Sequence, residues 1–306
     1  MKPRRSCVLL FLDGVGIGIP DSATNPFFRP GLECLPALCG GRFPDLSDPV
    51  RRLPGATVIP IDATLGVDGL PQSGTGQTSL YTGLNAAALI GRHFGPYPYS
   101  TLRPMLAREN IFRKVIGSGR RALFANAYPP QYFRYIAEHP GRMTATALAW
   151  QSTGLPFNGP EELRKGEGVS ADITNARWPK LGFPDMPHVS PHEAGRVLGR
   201  LSESFDLVLF EYYYTDHAGH SRSGAEASAV LGSVDGLLSG ILAGIDPQRT
   251  LVLVTSDHGN MEDLSTKSHT RNPVPFIAAG FRHDRVTEGL RDLTGVLPAI
   301  MRYLEE

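Results

Sequence analysis

The chain is punctuated by apolar runs too short for helices: Cys7–Leu12, Ala122–Ala127, Asp206–Phe210, Leu251–Thr255 and Val274–Ala278. Runs of this length, bounded by turn residues, read as strands buried on both faces. Between several of them the period becomes helical. Across Ala225–Ile245, the residues Val230, Leu231, Val234, Leu237, Leu238, Ile241, Leu242 and Ile245 share one face at i, i+3, i+4 spacing, and Asp246-Pro247 ends the segment. Further helices are predicted over Ser100–Gly117, over Ser190–Ser204 with Ser190 as cap before Pro191, and over Leu293–Leu304. Strands alternating with helices predict an α/β fold with a mainly parallel sheet and helices on both faces.

At 306 residues the chain fits one large domain, or a core carrying a smaller inserted unit. The stretch from about Pro129 to Pro187 is rich in Pro, Gly, Asn and Thr and holds both tryptophans, Trp150 and Trp178. It reads as a small inserted cap or substrate-specificity segment, residues 129–189, with 1–128 and 190–306 forming the core; long loops over a sheet edge commonly carry function.

Charge and cysteine content narrow the function classes. Lys plus Arg equals Asp plus Glu at 30 each, so no whole-molecule field gathers nucleic acid or an anionic membrane. Cys7, Cys34 and Cys39 contain no CxxC pair, which argues against a disulfide framework or a zinc knuckle and points to the reducing cytoplasm. The basic start, Met1 to Arg5, followed by Cys7–Leu12, imitates a secretory signal. Its apolar run of six residues is shorter than the usual h-region of about 7–15, no small-residue cleavage site follows, and a buried first strand is expected instead. No stretch is expected to reach the ~18–20 apolar residues that cross a bilayer. Oligomeric state is not encoded in any pattern of this kind.

Ligands of an open α/β sheet gather at the carboxyl ends of its strands. Asp13-Gly14 follows the first run, Asp216-His-Ala-Gly-His220 the run at 206–210, and Asp257-His258-Gly259-Asn260 the run at 251–255; His269 precedes Asn272-Pro-Val-Pro275. Singly, each is an ordinary cap or loop residue. Together, carboxylates and imidazoles at several strand ends make a donor set suited to Zn²⁺ or Mn²⁺.

The segment Leu70-Pro-Gln-Ser73-Gly-Thr75-Gly-Gln-Thr-Ser-Leu-Tyr-Thr-Gly83 offers a nucleophile. It is not a Walker A loop, because Pro71 stands at the first glycine and Gln77 at the lysine. Nor is it a nucleophile elbow, since Pro71 and Thr75 occupy the positions two residues either side of Ser73. Gly14-Val-Gly16-Ile-Gly18 has the wrong spacing for a dinucleotide fingerprint, and Pro20 blocks a helix there. A serine at the start of a short helix, about Thr75 to Thr82, suits a phosphorylated side chain, because the helix terminus favours an anion.

Phe11-Leu-Asp13-Gly14-Val-Gly16, Gly69-Leu-Pro, Asp216-xxx-His220, Ser256-Asp257-His258-Gly259-Asn260 and His269-Thr-Arg-Asn-Pro-Val-Pro275 resemble, in order and context, the alkaline phosphatase superfamily. Within it the closest resemblance is to the metalloenzyme core of cofactor-independent phosphoglycerate mutase and phosphopentomutase, over about 1–128 and 190–306. The resemblance implies two divalent ions, one held by Asp216, His220 and His269, the other by Asp13, Asp257, His258 and the Ser73 oxygen. It implies Ser73 as the nucleophile, with Thr75 as the backup. The sequence departs from the mutases where Gly76-Gln77 replaces their Gly-His, and its insertion is much shorter than that of phosphoglycerate mutase.

The expected activity is two-metal phosphoryl transfer on a small phosphorylated substrate. Hydrolysis of a phosphomonoester through a phosphoserine is the first reading, because the short insertion offers little to enclose a substrate. A phosphomutase is the second, a phosphodiesterase or sulfatase the third, although Ser73-Gly-Thr-Gly-Gln is not a sulfatase's Cys/Ser-x-Pro-x-Arg setting, and a metal-stabilised binding protein without turnover the alternative from another class. Arg134, Arg142, Arg164, Lys165, Arg177 and Lys180 are either substrate-phosphate ligands or surface charge.

Overall fold

The computed structural model describes residues 4–306, so Met1–Pro3 of the signal-like start lie outside the described residues. The strands, in chain order, are β1 (Ser6–Leu12), β2 (Arg51–Arg52), β3 (Ala56–Ile61), β4 (Ala122–Phe124), β5 (Asn126–Ala127), β6 (Val169–Ser170), β7 (Leu207–Tyr212), β8 (Thr250–Thr255) and β9 (Val274–Gly280). Seven of them form one sheet in the order β2-β3-β9-β8-β1-β7-β4, while β5 and β6 pair separately. Strand β1 is parallel to both β7 and β8, and β4 is parallel to β7; β9 is antiparallel to β8 and β3, and β3 to β2. Five strands therefore run one way and only β9 and β2 the other.

Every residue of β1 is buried, and its side chains alternate between two cores. Cys7, Leu9 and Phe11 enter one; Val8, Leu10 and Leu12 enter the other. On the Leu10 side lie helices Pro191–Leu201 and Gly224–Gly244, contributing Leu198, Leu231, Val234 and Leu238. These two helices approach so closely that a Cβ at Gly240 would lie 2.0 Å from the His192 carbonyl oxygen, which fixes glycine there. On the Phe11 side pack Ser73–Thr82, Ile111–Gly117, Ala145–Gln151 and Val296–Glu305.

Several sequence expectations need correction. The segment 100–117 is two helices, Arg103–Arg108 and Ile111–Gly117, because the Asn110 side chain accepts from the Arg113 N–H at 3.1 Å and restarts the helix as an N-cap. The run 122–127 divides between two sheets, and β2 and β3 carry too weak a pattern to have been singled out. Helix Gly224–Gly244, with mean hydropathy 1.4, is by length and composition able to cross a membrane, contrary to expectation. Alanines between its larger residues raise that mean, and its apolar face is spent on the sheet and on Pro191–Leu201.

The segment 129–187 contains three α-helices, Pro130–Glu138, Ala145–Gln151 and Pro160–Lys165, of which the first two are opposite in character. Ala145–Gln151 buries six consecutive residues, Ala145 to Trp150, in the same core as Phe11, with the Trp150 ring edge-on to Phe112 at 5.1 Å. Pro130–Glu138 buries only Ile136.

The amino-terminal strand is anchored by Asp206, whose fully buried carboxylate pairs with Arg4 and accepts from the Arg121 N–H at 2.6 Å. Burial alone would raise this carboxyl; Arg4 and the Arg121 N–H hold it below its usual range. Asp206→Asn is expected to cost about 2 kcal/mol of stability at pH 7, from loss of charge-assisted hydrogen bonds. The gap between variant and wild type narrows as pH falls through the carboxylate range, because protonation removes the same term. Urea denaturation across that range checks both statements.

Candidate metal and phosphoryl-transfer centre

The topology explains why the proposed ligands meet. Strands β1, β7 and β8 are adjacent and parallel, so the residues after Leu12, Tyr212 and Thr255 emerge at one edge. His269 precedes β9, which runs the opposite way, so its amino end reaches that same edge. Ser73 is the first residue of helix Ser73–Thr82, two residues earlier than the expected start.

Two clusters result. The ligand atoms of Asp13, Asp257 and His258 all lie within 4.8 Å of one another, and so do those of Asp216, His258 and His269. In the first, His258 Nε2 is 3.3 Å from Asp13 Oδ1, 3.7 Å from Asp257 Oδ2 and 3.0 Å from Ser73 Oγ. In the second, Asp216 lies 3.3 Å from His220 Nε2 and 3.6 Å from His269 Nε2, and those two imidazole nitrogens are 3.2 Å apart. His258 also stacks on His269, with centroids 3.8 Å apart. All eight residues singled out from the sequence are thus near one edge, but Thr75 faces elsewhere: its hydroxyl bonds the Gln72 carbonyl at 3.1 Å and accepts from Phe94 N–H at 3.2 Å.

The donor set fits a divalent cation. Each of the three imidazoles has Nδ1 beside a backbone carbonyl: His220 with Lys267 at 2.9 Å, His269 with Pro71 at 2.8 Å, His258 with Gly259 at 3.3 Å. Donation there would leave Nε2 of each neutral imidazole as a lone pair aimed into the centre once a metal replaces the His258 proton, the arrangement metal-binding histidines use. Asp13 Oδ1 is buried with no well-formed hydrogen bond, its polar neighbour being His258 Nε2 at 3.3 Å, and is an acceptor that a cation would satisfy. Electrostatics agrees. Burial and the neighbouring Asp257 push the Asp13 carboxyl well above its usual value. Burial opposes charge on His258, but Asp257 and Asp13 outweigh it and hold the imidazole up to about 10. Burial and the His258 charge push His269 down to about 4, leaving it neutral as a ligand must be.

Three supporting residues were not recognised from the sequence. Gln77 donates to Asp13 Oδ2 at 3.2 Å and to Asp257 Oδ2 at 3.1 Å, one amide clamping both carboxylates. Glu262, 1 % exposed, accepts from the N–H groups of Gly16 and Asn260 at 2.9 and 2.8 Å, from Asn272 at 3.1 Å and from the Thr270 hydroxyl. It therefore joins the loops after β1 and β8 to the one before β9. Asn260, noted in sequence only as part of a motif, donates to Asp216 Oδ1 at 2.6 Å. The spacing from Asp257 to Glu262 carried no signal, since what Glu262 binds is backbone more than 240 residues away.

A cavity of about 530 Å³ opens onto Asp13, Ser73, Gln77 and Asp216. Its far wall comes from the segment 128–181, including Tyr132, Arg142, Arg177 and Trp178; its near wall includes Tyr97, Glu211 and Tyr213. Burial raises the Glu211 carboxyl to about 7.

Two outcomes are expected. Mn²⁺ uptake at pH 7 releases at least one proton, because His258 is protonated in the metal-free cluster; calorimetry in buffers of different ionisation enthalpy measures it, and uptake without release would contradict the electrostatics. Gly14 has φ +69° and a Cβ there would meet Asp216 Oδ1 at 2.6 Å. Gly14→Ala should weaken metal binding about tenfold or more, read by equilibrium dialysis.

The metalloenzyme superfamily model matches residues 187–303. A 2,3-bisphosphoglycerate-independent phosphoglycerate mutase of Acetivibrio thermocellus is 31% identical over 158 residues, covering 48% of this chain and 30% of that protein. The enzyme of that name from Rhodopseudomonas palustris is 28% identical over 237 residues, covering 72% of this chain and 45% of its own. The chain thus spans less than half the length of these relatives. Among solved structures, the PH0037 protein of Pyrococcus horikoshii aligns with a TM-score of 0.58 at 16% identity over 100% of this chain and 98% of that one. Alkaline phosphatase from the Antarctic bacterium TAB5 aligns with a TM-score of 0.53 at 12% identity, over 99% and 98%. These two share the fold. With Asp216, His220, Asp257, His258 and His269 inside the matched region, residues 187–303 are similar to the metalloenzyme superfamily, and the chain as a whole has an alkaline phosphatase-like fold.

Proposed function

We propose that this protein is a two-metal phosphoryl-transfer enzyme that hydrolyses a small phosphomonoester through a phosphoserine at Ser73. The observation that carries the reading is the Ser73 hydroxyl, 6 % exposed, at the first position of a helix and 3.0 Å from His258 Nε2, where a cavity meets the carboxylate and imidazole cluster. Asp216, His220 and His269 would hold one ion, and Asp13, Asp257, His258 and Ser73 Oγ the other. Two such ions, Mn²⁺ or Zn²⁺, would supply Lewis acidity to the transfer when bound there.

The chain's own residues do the rest. Ser73 Oγ is presented by its helix in a fixed direction and forms the new O–P bond as the substrate's ester P–O bond breaks; the proton the serine gives up is balanced, through solvent, by the one the departing alcohol gains. Gln77 keeps Asp13 and Asp257 in register, and Glu262 keeps their loops together. The helix amino terminus favours the negative phosphoryl group once it sits on Ser73. Water then breaks the O–P bond and frees the serine.

A phosphomutase is the second reading, favoured by the names of the relatives described above. It requires the segment 129–189, acting as a cap, to retain the dephosphorylated substrate and present a second hydroxyl. The three unpaired thiols suit a reducing, cytoplasmic setting.

Ser73→Ala should lower turnover of p-nitrophenyl phosphate by at least about 10³-fold while the far-ultraviolet spectrum is unchanged, since no other described hydroxyl takes its place. Metal analysis should find about two ions per chain. Full turnover in the variant would exclude the serine mechanism, and isomerisation of a phosphorylated substrate by the wild type would promote the mutase.

A further inference from the structure

The cavity beside the cluster is far larger than the transferred group needs, and its walls are chemically uneven. At about 530 Å³ it lies in the range that encloses a ring-bearing ligand, whereas a three-carbon acid would leave most of it empty. Seven of its lining side chains are tyrosine or tryptophan rings, among them Tyr97, Tyr128, Tyr132, Tyr135, Trp178 and Tyr213. Tyr128 and Tyr132 are already stacked, with centroids 4.1 Å apart, so the wall is preset as a flat platform.

Some polar tips on that wall are engaged, whereas the Tyr132 hydroxyl and Gln131 Oε1 have no hydrogen-bond partner. Arg142 donates to the Tyr135 hydroxyl at 2.6 Å, Arg177 donates to the Tyr214 hydroxyl and lies over its ring, and the Trp178 indole donates to Ser170 Oγ at 2.9 Å. A flat aromatic group needs no hydrogen-bond partner to be held against the aromatic part of that wall.

We infer that the cavity is the binding site for the non-transferred half of the substrate, and that this half is an aromatic ring system, making the substrate an aryl- or nucleobase-bearing phosphate ester. The inference rests on the phosphoryl-transfer reading for the placement of the phosphate at Ser73. The ring lies against Tyr132 and Tyr128, and the ester oxygen points toward Gln77 and Asp216.

Binding to the Mn²⁺-loaded Ser73→Ala protein tests this without requiring turnover. Phenylphosphonate should bind at least about tenfold more tightly than methylphosphonate, the difference a stacked ring commonly contributes, and also more tightly than glucose 6-phosphate. Tyr132→Ala in the same background should shrink the phenyl-to-methyl ratio to about threefold or less, with thermal melting confirming that the variant is folded. Equal affinity for the two phosphonates in the parent protein, or glucose 6-phosphate binding as tightly as phenylphosphonate, overturns the inference. Because these are binding ratios, they stand apart from the p-nitrophenyl phosphate turnover that tests the chemistry.

Discussion

Three carboxylates crowded at one sheet edge set the terms for the rest of the molecule. Asp13 and Asp257 share a single amide donor in Gln77, and Asp216 stands one imidazole away. Buried charges of like sign repel, and the cost of keeping them ionised is met only by opposite charge in the same place. Without metal, a proton on His258 and the raised Asp13 carboxyl share that task. The site therefore suits a cation whose charge the protein itself does not supply, and the hydrogen-bonded loops around it hold an arrangement that would otherwise spread apart.

Those loops are short because the topology brings them together directly. Three adjacent parallel strands deliver Asp13, Asp216 and the Asp257-His258 pair without any long excursion. The reversal of β9 lets His269 arrive from the opposite chain direction. Glu262 then ties these loops with hydrogen bonds to backbone, so its contribution is to shape rather than to charge balance. A network of this kind is worth most when every member is satisfied.

The sequence displayed much of this. Strand ends were legible because apolar runs stop abruptly at Asp13 and Asp257, and the long helix was legible because its apolar face repeats over five turns. Less legible were features set by partners remote in the chain. Gln77 looked like a departure from a family pattern, and only the proximity of Asp13 and Asp257, 64 and 180 residues away, reveals a clamp. The break at Asn110 was hidden inside a helical period, where a single capping side chain outweighed the pattern around it. Trp150 sat in a stretch that reads as surface, yet it packs on Phe112 in the main core.

That last placement bears on how such a protein could change its diet. The far wall of the cavity takes Gln131, Tyr132, Tyr135 and Ile136 from Pro130–Glu138, whereas Ala145–Gln151 reaches it only through its cap, Thr144, and the two helices are under different constraints. Substitutions along Ala145–Gln151 repack the centre of the molecule and are paid for in stability, whereas Pro130–Glu138 touches the interior through little more than Ile136. Variation is therefore channelled: the outer helix can drift and sample new ring-binding surfaces while the inner one stays fixed. A lineage of such chains would be expected to diverge in what it accepts long before it diverges in how it folds.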